Sequence, residues 1–228
     1  MFLDIVTGTD STLINSAPAI TEEKLNLLDL TMKGGFIMIP IVILLLIGLY
    51  LTVERYMTIK KASKKDTAFM SNVKDMVANG NITGAKSLCA NNGTPIGRML
   101  EKGISRIGKP MKNIEVAIEN VGKLEIYRLE KGMATIATIS GAAPMIGFLG
   151  TVTGMIRAFF KMANAGNNID ITQLSGGIYE AMVTTVAGLI VGIFAYIAHN
   201  LLTAMIEKVV HGMEAAAVEF IDLLQEPG

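Results

Sequence analysis

Glu180 is the one Asp, Glu, Lys or Arg side chain between Asp170 and Glu207, a stretch that contains the apolar run from Ala181 to Ile206. Placing a carboxylate at the centre of a membrane helix costs roughly 2.5–3.5 kcal/mol, so such groups normally face a bundle interior or a watery path. If a helix begins at Asp170, Glu180 lies about 15 Å along it and Glu207 about 40 Å further on. A hydrocarbon core of about 30 Å fits between them, with Glu180 at or just inside its outer boundary. Two uses follow from that position: a station on a proton or ion pathway, or an interfacial side chain reaching outer water. Thr184 sits one helical turn further on, on the same face, and Thr185 lies beside that face. A carboxyl flanked by hydroxyls and shielded from water can alternate between protonated and ionised forms, which is the chemistry of a relay.

A second group of small residues accompanies the acid. Gly147, Gly150, Thr151, Gly154 and Ala158 fall on one helical face, and Gly188 and Gly192 form a Gly-x-x-x-Gly pair. Small stripes let backbones approach closely, which holds helices together where lipid removes the ordinary hydrophobic drive. The Thr151 hydroxyl could serve water or a carboxylate, or simply bond a carbonyl one turn back in its own helix. Other chemistries find little support. Ser140 and Ser175 lie outside any Gly-x-Ser-x-Gly context, and His199 is far along the helix from Ser175, so an intramembrane hydrolase lacks its nucleophile and base. The single Cys89 leaves no intrachain disulfide and no cysteine metal cluster. His199 and His211 are each isolated in sequence and read as interfacial or packing residues, so neither a metal nor another cofactor is indicated.

The elements that must carry these residues are membrane helices. Hydrophobic residues make up 51% of the 228 and charged residues 18%, a balance that puts much of the surface in lipid. The run Gly34 to Val53 is uncharged and about 20 residues long, enough to cross a bilayer. It is not a cleavable signal sequence, because it is too long, follows an acidic stretch and lacks a small-residue cleavage pattern. A second span starts at Met133 and carries Pro144 inside it, where neighbouring helices or hydroxyls must satisfy the freed carbonyl. A third begins near Thr172.

Basic residues set the orientation. Arg55, Lys60, Lys61, Lys64 and Lys65 closely follow the first span, whereas Lys24 and Lys33 precede it among five acidic residues. Lys and Arg favour the cytoplasmic side, so the N-terminus should be outside; Arg157 and Lys161 weigh mildly against this. The expected organisation is an outer, periplasmic segment 1–32, a transmembrane helix 33–54, a cytoplasmic helical domain 55–132, a second transmembrane helix 133–160, a short outer loop 161–171, a third transmembrane helix 172–206 and a cytoplasmic C-terminal helix 207–228. The Lys60–Lys65 cluster adjoins a membrane helix and lacks interleaved aromatics, so it suits orientation and anionic lipid better than nucleic acid.

Helical spacing recurs in the cytoplasmic segment. Phe69, Val73, Met76 and Val77 predict one helix, Asn79-Gly80-Asn81 a break, Ile82 to Ala90 a second helix and Ile96 to Ile107 a third. After Gly108-Lys109-Pro110, a stripe of Ile114, Ala117, Ile118, Val121, Leu124 and Leu129 predicts a helix that runs unbroken into the second span. Residues 207–224 extend the third span as an amphipathic helix. The fold class is all-α: an integral membrane protein with three transmembrane helices, the second and third extended into a cytoplasmic helical bundle.

With Gly147-Phe148-Leu149-Gly150-Thr151-Val152 on the second span, and Gly177-Ile178-Tyr179-Glu180-Ala181 and Thr185-Val186-Ala187-Gly188-Leu189 on the third, the chain resembles the MotA/TolQ/ExbB proton-channel family, nearest its ExbB branch. The likeness covers nearly everything beyond about Lys33. It implies a homopentamer in a bacterial inner membrane, whose second and third spans line a pore occupied by single helices of an ExbD-like partner bearing an essential Asp. Proton flow past them would drive a TonB-like protein acting on outer-membrane transporters. By resemblance Thr151 and Thr185 match the pore-lining threonines and Glu180 the membrane glutamate. Helical spacing favours Thr184 instead of Thr185, and Thr184 is kept as a further candidate. A TolQ-like subunit of an envelope-maintenance motor and a non-conducting scaffold are the alternative functions. The acidic extension Met1 to Asp29 departs from the commonest family pattern. The whole functional expectation requires Glu180 to be sheltered from lipid at a seam between subunits.

Overall fold

A long apolar helix in water would leave its side chains exposed, and here three helical stretches present such surfaces. The computed structural model describes residues 35–63, 67–164 and 171–225. Its elements are α1 (Met38–Ala62), α2 (Thr67–Ala78), α3 (Ile82–Asn92), α4 (Pro95–Ile104), α5 (Met111–Glu130), α6 (Met133–Asn164) and α7 (Ile171–Gln225), with no strand among the described residues. Helix α1, the α5–α6 stretch and α7 are each long and apolar enough to cross a membrane. The protein is an all-α integral membrane protein. Ile39, Ile43, Leu46, Tyr50 and Val53 on α1, and Met182, Ile190, Ile193 and Leu201 on α7, are exposed apolar side chains of the kind lipid solvates. The N-terminal segment with Lys24 and Lys33, the start of the first span before Gly35, Lys64 and Lys65, Asp170 and the last three residues lie outside the described residues.

Helix α7 is the spine. Its 55 residues extend about 80 Å at 1.5 Å per residue. Helices α6 and α1 pack along its first part, and α2, α4 and α5 surround the rest. Phe220 is completely buried near the far end, where Gly103 of α4 gives it room: a methyl group there would fall 2.9 Å from the Phe220 ring and 2.8 Å from Ile118. Local caps fix the short helices. The Asn81 side chain accepts the Gly84 N–H at 3.0 Å to start α3, and Gly93 closes it in the left-handed conformation at φ 66°. Thr94 accepts the Gly97 N–H at 3.2 Å, with Pro95 in the first turn of α4. That helix stops at Ile104, short of the expected Ile107, because turns carry the chain from there to Gly108.

Two expectations are corrected. Helix α5 does not continue unbroken into the second span: Lys131 has ψ 127° and Gly132 has φ +82°, which ends the hydrogen-bond ladder and restarts it at Met133. Glycine tolerates that angle, and Arg55 of α1 stabilises the joint by donating from Nη1 to the Arg128 carbonyl at 3.1 Å, one of the acceptors left over at the end of α5. The inward stripe of α5 also differs. Leu124 is 60% exposed, and Glu125, at 2%, is buried in line with Ile118, Gly122 and Leu129.

Two guanidiniums hold that carboxylate, Arg98 Nη2 at 2.5 Å and Arg128 Nη1 at 2.5 Å. Removing one member of a buried ion pair leaves the other uncompensated, which typically costs about 3–5 kcal/mol. Because Arg98 and Arg128 are partly exposed, Glu125→Ala is expected to cost about 3 kcal/mol or less, lowering the melting midpoint by several degrees while Lys123→Ala, on the exposed Glu119 pair, leaves it nearly unchanged. Equal melting of the two variants would show that Glu125 contributes no more than a surface charge. Nearby Cys89 is fully buried, and its thiol is pushed up to about 11, first by burial and then by the negative charge of Glu101; it stays protonated and inert at neutral pH.

Candidate functional site

Backbone proximity between α6 and α7 positions the site. At Gly147 a methyl group would lie 2.9 Å from the Thr184 carbonyl oxygen and 3.2 Å from the Gly188 Cα. At Gly188 it would lie 2.6 Å from the Ala143 carbonyl, at Gly154 2.8 Å from the Ala181 methyl, and at Gly177 2.9 Å from the Ala158 methyl. Gly150 receives the Thr184 side chain, and Gly192 lets α7 pass over the Pro144 ring and the Ser140 carbonyl. Helices this close gain dispersion contacts and accept interhelical hydrogen bonds. One such bond crosses the seam, from Thr185 Oγ to the Gly147 carbonyl at 2.9 Å.

Half-buried Glu180 lines a recess enclosed by three helices of one chain. Its other walls are Phe36 and Ile37 at the start of α1, Gly150, Thr153, Gly154 and Arg157 on α6, and Thr184 on α7. The enclosed volume is about 10 Å³, comparable to one water-sized probe. Thr184 is 2% exposed and donates to the Ala181 carbonyl at 2.7 Å, while Thr153 donates to the Leu149 carbonyl at 2.9 Å. Each hydroxyl spends its proton on its own helix and keeps oxygen lone pairs as acceptors. The recess thus brings together a carboxyl, two hydroxyl oxygens, a guanidinium and space for about one water.

Glu180 and Thr184 are thus brought together, whereas Thr151 and Thr185 do not line the recess. Thr151 is half-buried and donates to the Phe148 carbonyl of its own helix at 2.7 Å. Thr153 and Arg157 are not among the sequence-predicted site residues, although they follow Gly150 by three and seven residues on the same face. The proximity of α1 carried no sequence signal at all. His199 and His211, about 18 Å apart along α7, both line an open cleft of about 750 Å³ beside the α5–α6 joint, with Glu130, Lys131, Thr203 and Glu207. Among the described residues no group of three or more His, Cys, Asp or Glu is arranged to hold a metal ion.

A carboxyl-bearing recess on tightly packed membrane helices defines the class as a helical membrane protein. Residues 91–215 match the MotA/TolQ/ExbB proton channel family, and the chain belongs to that family. It is 28% identical over 191 residues to an ExbB-like biopolymer transport protein of Synechocystis sp., covering 83% of this chain and 75% of that one. An ExbB homologue from Methanothermobacter thermautotrophicus is 26% identical, covering 82% and 66%. The biopolymer transport protein ExbB of Neisseria gonorrhoeae is 34% identical over 102 residues, which span 45% of this chain and 46% of its relative.

Proposed function

We propose that the chain is the proton-channel, or stator, subunit of an inner-membrane motor that uses the proton gradient to energise TonB-dependent transport across an outer membrane. The observation that carries the channel part is the Glu180 recess: a carboxyl in the membrane region, with hydroxyls and Arg157 beside it, at the seam between α1, α6 and α7. Names of the ExbB relatives as biopolymer transport proteins support the transport part. In this reading several copies, five by family resemblance, surround single-span helices of an ExbD-like partner, and a TonB-like protein receives the mechanical output. The N-terminus is periplasmic and the C-terminus cytoplasmic, on the strength of Arg55, Lys60 and Lys61 at the end of α1. Moving one charge across 100 mV releases about 2.3 kcal/mol, so a few protons suffice to drive a conformational step. A non-conducting scaffold is the second reading, and the packing of Glu180 among helices of its own chain favours it.

The threonines test the pore. Thr151→Val with Thr185→Val keeps shape and removes two hydroxyls, one of them bonded across the seam. Loss of a hydroxyl contact worth about 1–1.5 kcal/mol corresponds to about a tenfold fall in partner-dependent proton flux. Oligomer size by native mass spectrometry is expected to be unchanged. Full flux in the double variant would remove Thr151 and Thr185 from the path and leave Thr184 and Thr153 as the relevant hydroxyls. Vesicles holding the protein with its single-span partner, loaded with a pH-sensitive dye, give the flux.

A further inference from the structure

We propose that Gly35, at the entry to the first membrane helix, is a positioning residue for Glu180: it is the point at which α1 fixes where the carboxyl of α7 stands. This rests on the channel reading for its functional consequence, though not for its geometry. Gly35 has φ +65°, and its carbonyl accepts the Met38 N–H at 3.1 Å in the turn that opens α1. A methyl group on its Cα would overlap Glu180 Oε1 and lie 3.0 Å from Cδ and 3.7 Å from Cγ. The backbone angle calls for glycine, and any side chain placed there would have to displace the Glu180 carboxyl from its position. Other glycines with positive φ separate these two demands. Gly80, Gly93 and Gly108 have nothing within 4 Å of an added methyl and serve only their turns, whereas at Gly35 the space is already taken by Glu180.

The consequence is a mechanical link. Phe36 and Ile37, directly after Gly35, form one wall of the recess, and α6 supplies the opposite wall with Thr153 and Arg157. The Glu180 side chain is held between them, so a shift of the start of α1 must move either the carboxyl or its neighbours. A helix whose outer face is otherwise suited to lipid thereby controls the geometry of the relay. Between Gly35 and Ile37 the turn carries no charge; among the described residues the one charged side chain lining the recess beside Glu180 is Arg157.

Shape complementarity gives a specific test. Gly35→Ala is expected to lower proton flux in vesicles of the complete complex about tenfold. Glu180→Asp draws the carboxyl back by about one carbon–carbon bond, 1.5 Å, and vacates the space the new methyl needs. On its own Glu180→Asp also lowers flux, yet Gly35→Ala with Glu180→Asp is expected to conduct at least threefold better than Gly35→Ala alone, a non-additivity that independent damage would not produce. Gly80→Ala, with the same backbone demand and no neighbour, should leave flux unchanged. Independently of flux, full-length protein in native membranes with Cys89→Ser, Gly35→Cys and Glu180→Cys is expected to form a disulfide within one protomer on mild oxidation, seen as a linked peptide at monomer mobility. Full flux in Gly35→Ala, no relief by Glu180→Asp, or a disulfide that is absent or links two protomers would overturn the proposal. If the unmodified complex carries no flux, the channel reading fails and the disulfide alone decides this one.

Discussion

Glu180→Gln is expected to reduce partner-dependent proton flux to the level of empty vesicles, a loss of about a hundredfold or more. The amide fills the same volume and can still accept and donate hydrogen bonds, so the packing around Gly35, Gly150 and Gly154 is retained. What it lacks is a proton that can leave, and groups that transfer protons contribute roughly 10²–10⁴-fold to processes that need them. Thr184 and Thr153 cannot substitute, because each donates its hydroxyl proton to a backbone carbonyl of its own helix. Assembly serves as the control: oligomer mass and the circular dichroism melt of Glu180→Gln should match the unmodified protein. Flux equal to that of the unmodified complex would reduce Glu180 to a packing residue and favour the scaffold.

Gly188→Ala is expected to disturb the α6–α7 packing strongly. The added carbon would lie 2.6 Å from the Ala143 carbonyl oxygen, 2.9 Å from the Gly147 Cα and 3.1 Å from the Gly147 nitrogen, all backbone atoms that cannot rotate away. Overpacking in a well-filled interior costs about 1–3 kcal/mol, and here relief requires the two helices to part. Separation would also stretch the bond from Thr185 to the Gly147 carbonyl, which crosses the same seam. A fall of about 2–12 °C in the melting midpoint follows for a chain of this length. Trp is absent, so far-UV circular dichroism in detergent is the natural measurement. Gly212→Ala on the same helix, where an added methyl meets nothing within 4 Å, should melt at or slightly above the unmodified protein, since alanine favours helix. If Gly188→Ala melts like Gly212→Ala, the close approach of α6 and α7 is wrong.

Much of the fold could be read from local composition. Uncharged runs long enough to cross a bilayer identify α1, α6 and α7 without reference to anything else in the chain. The breaks at Asn79-Gly80-Asn81 and between Ala90 and Ile96 follow from residues whose capping preferences act over three or four positions, and the caps at Asn81 and Thr94 are of that kind. The α5–α6 joint was missed because helical periodicity runs through Lys131 and Gly132 undisturbed. Glycine permits the turn there without requiring it, and the interaction that stabilises it comes from Arg55, 73 residues before Arg128. Glu125 has no place in the stripe read from sequence for a similar reason. Its position relative to Ile118, Gly122 and Leu129 pointed inward, yet burying a carboxylate is unfavourable unless partners are known, and one partner, Arg98, is 27 residues away in another helix.

The family to which the chain belongs, its three membrane-spanning stretches and the candidacy of Glu180 were all determined by sequence alone, because hydrophobicity, run length and an isolated acid are properties of neighbouring residues. Which groups surround that acid was decided only by tertiary structure. Thr153, Arg157 and the Gly35 turn reach Glu180 through the close packing of α1, α6 and α7, and the choice between Thr184 and Thr185 within one chain depends on how α7 is rotated against α6. A helix of fixed sequence can present any face to its neighbours, and the orientation it adopts is set by where glycines on two distant segments allow backbones to meet.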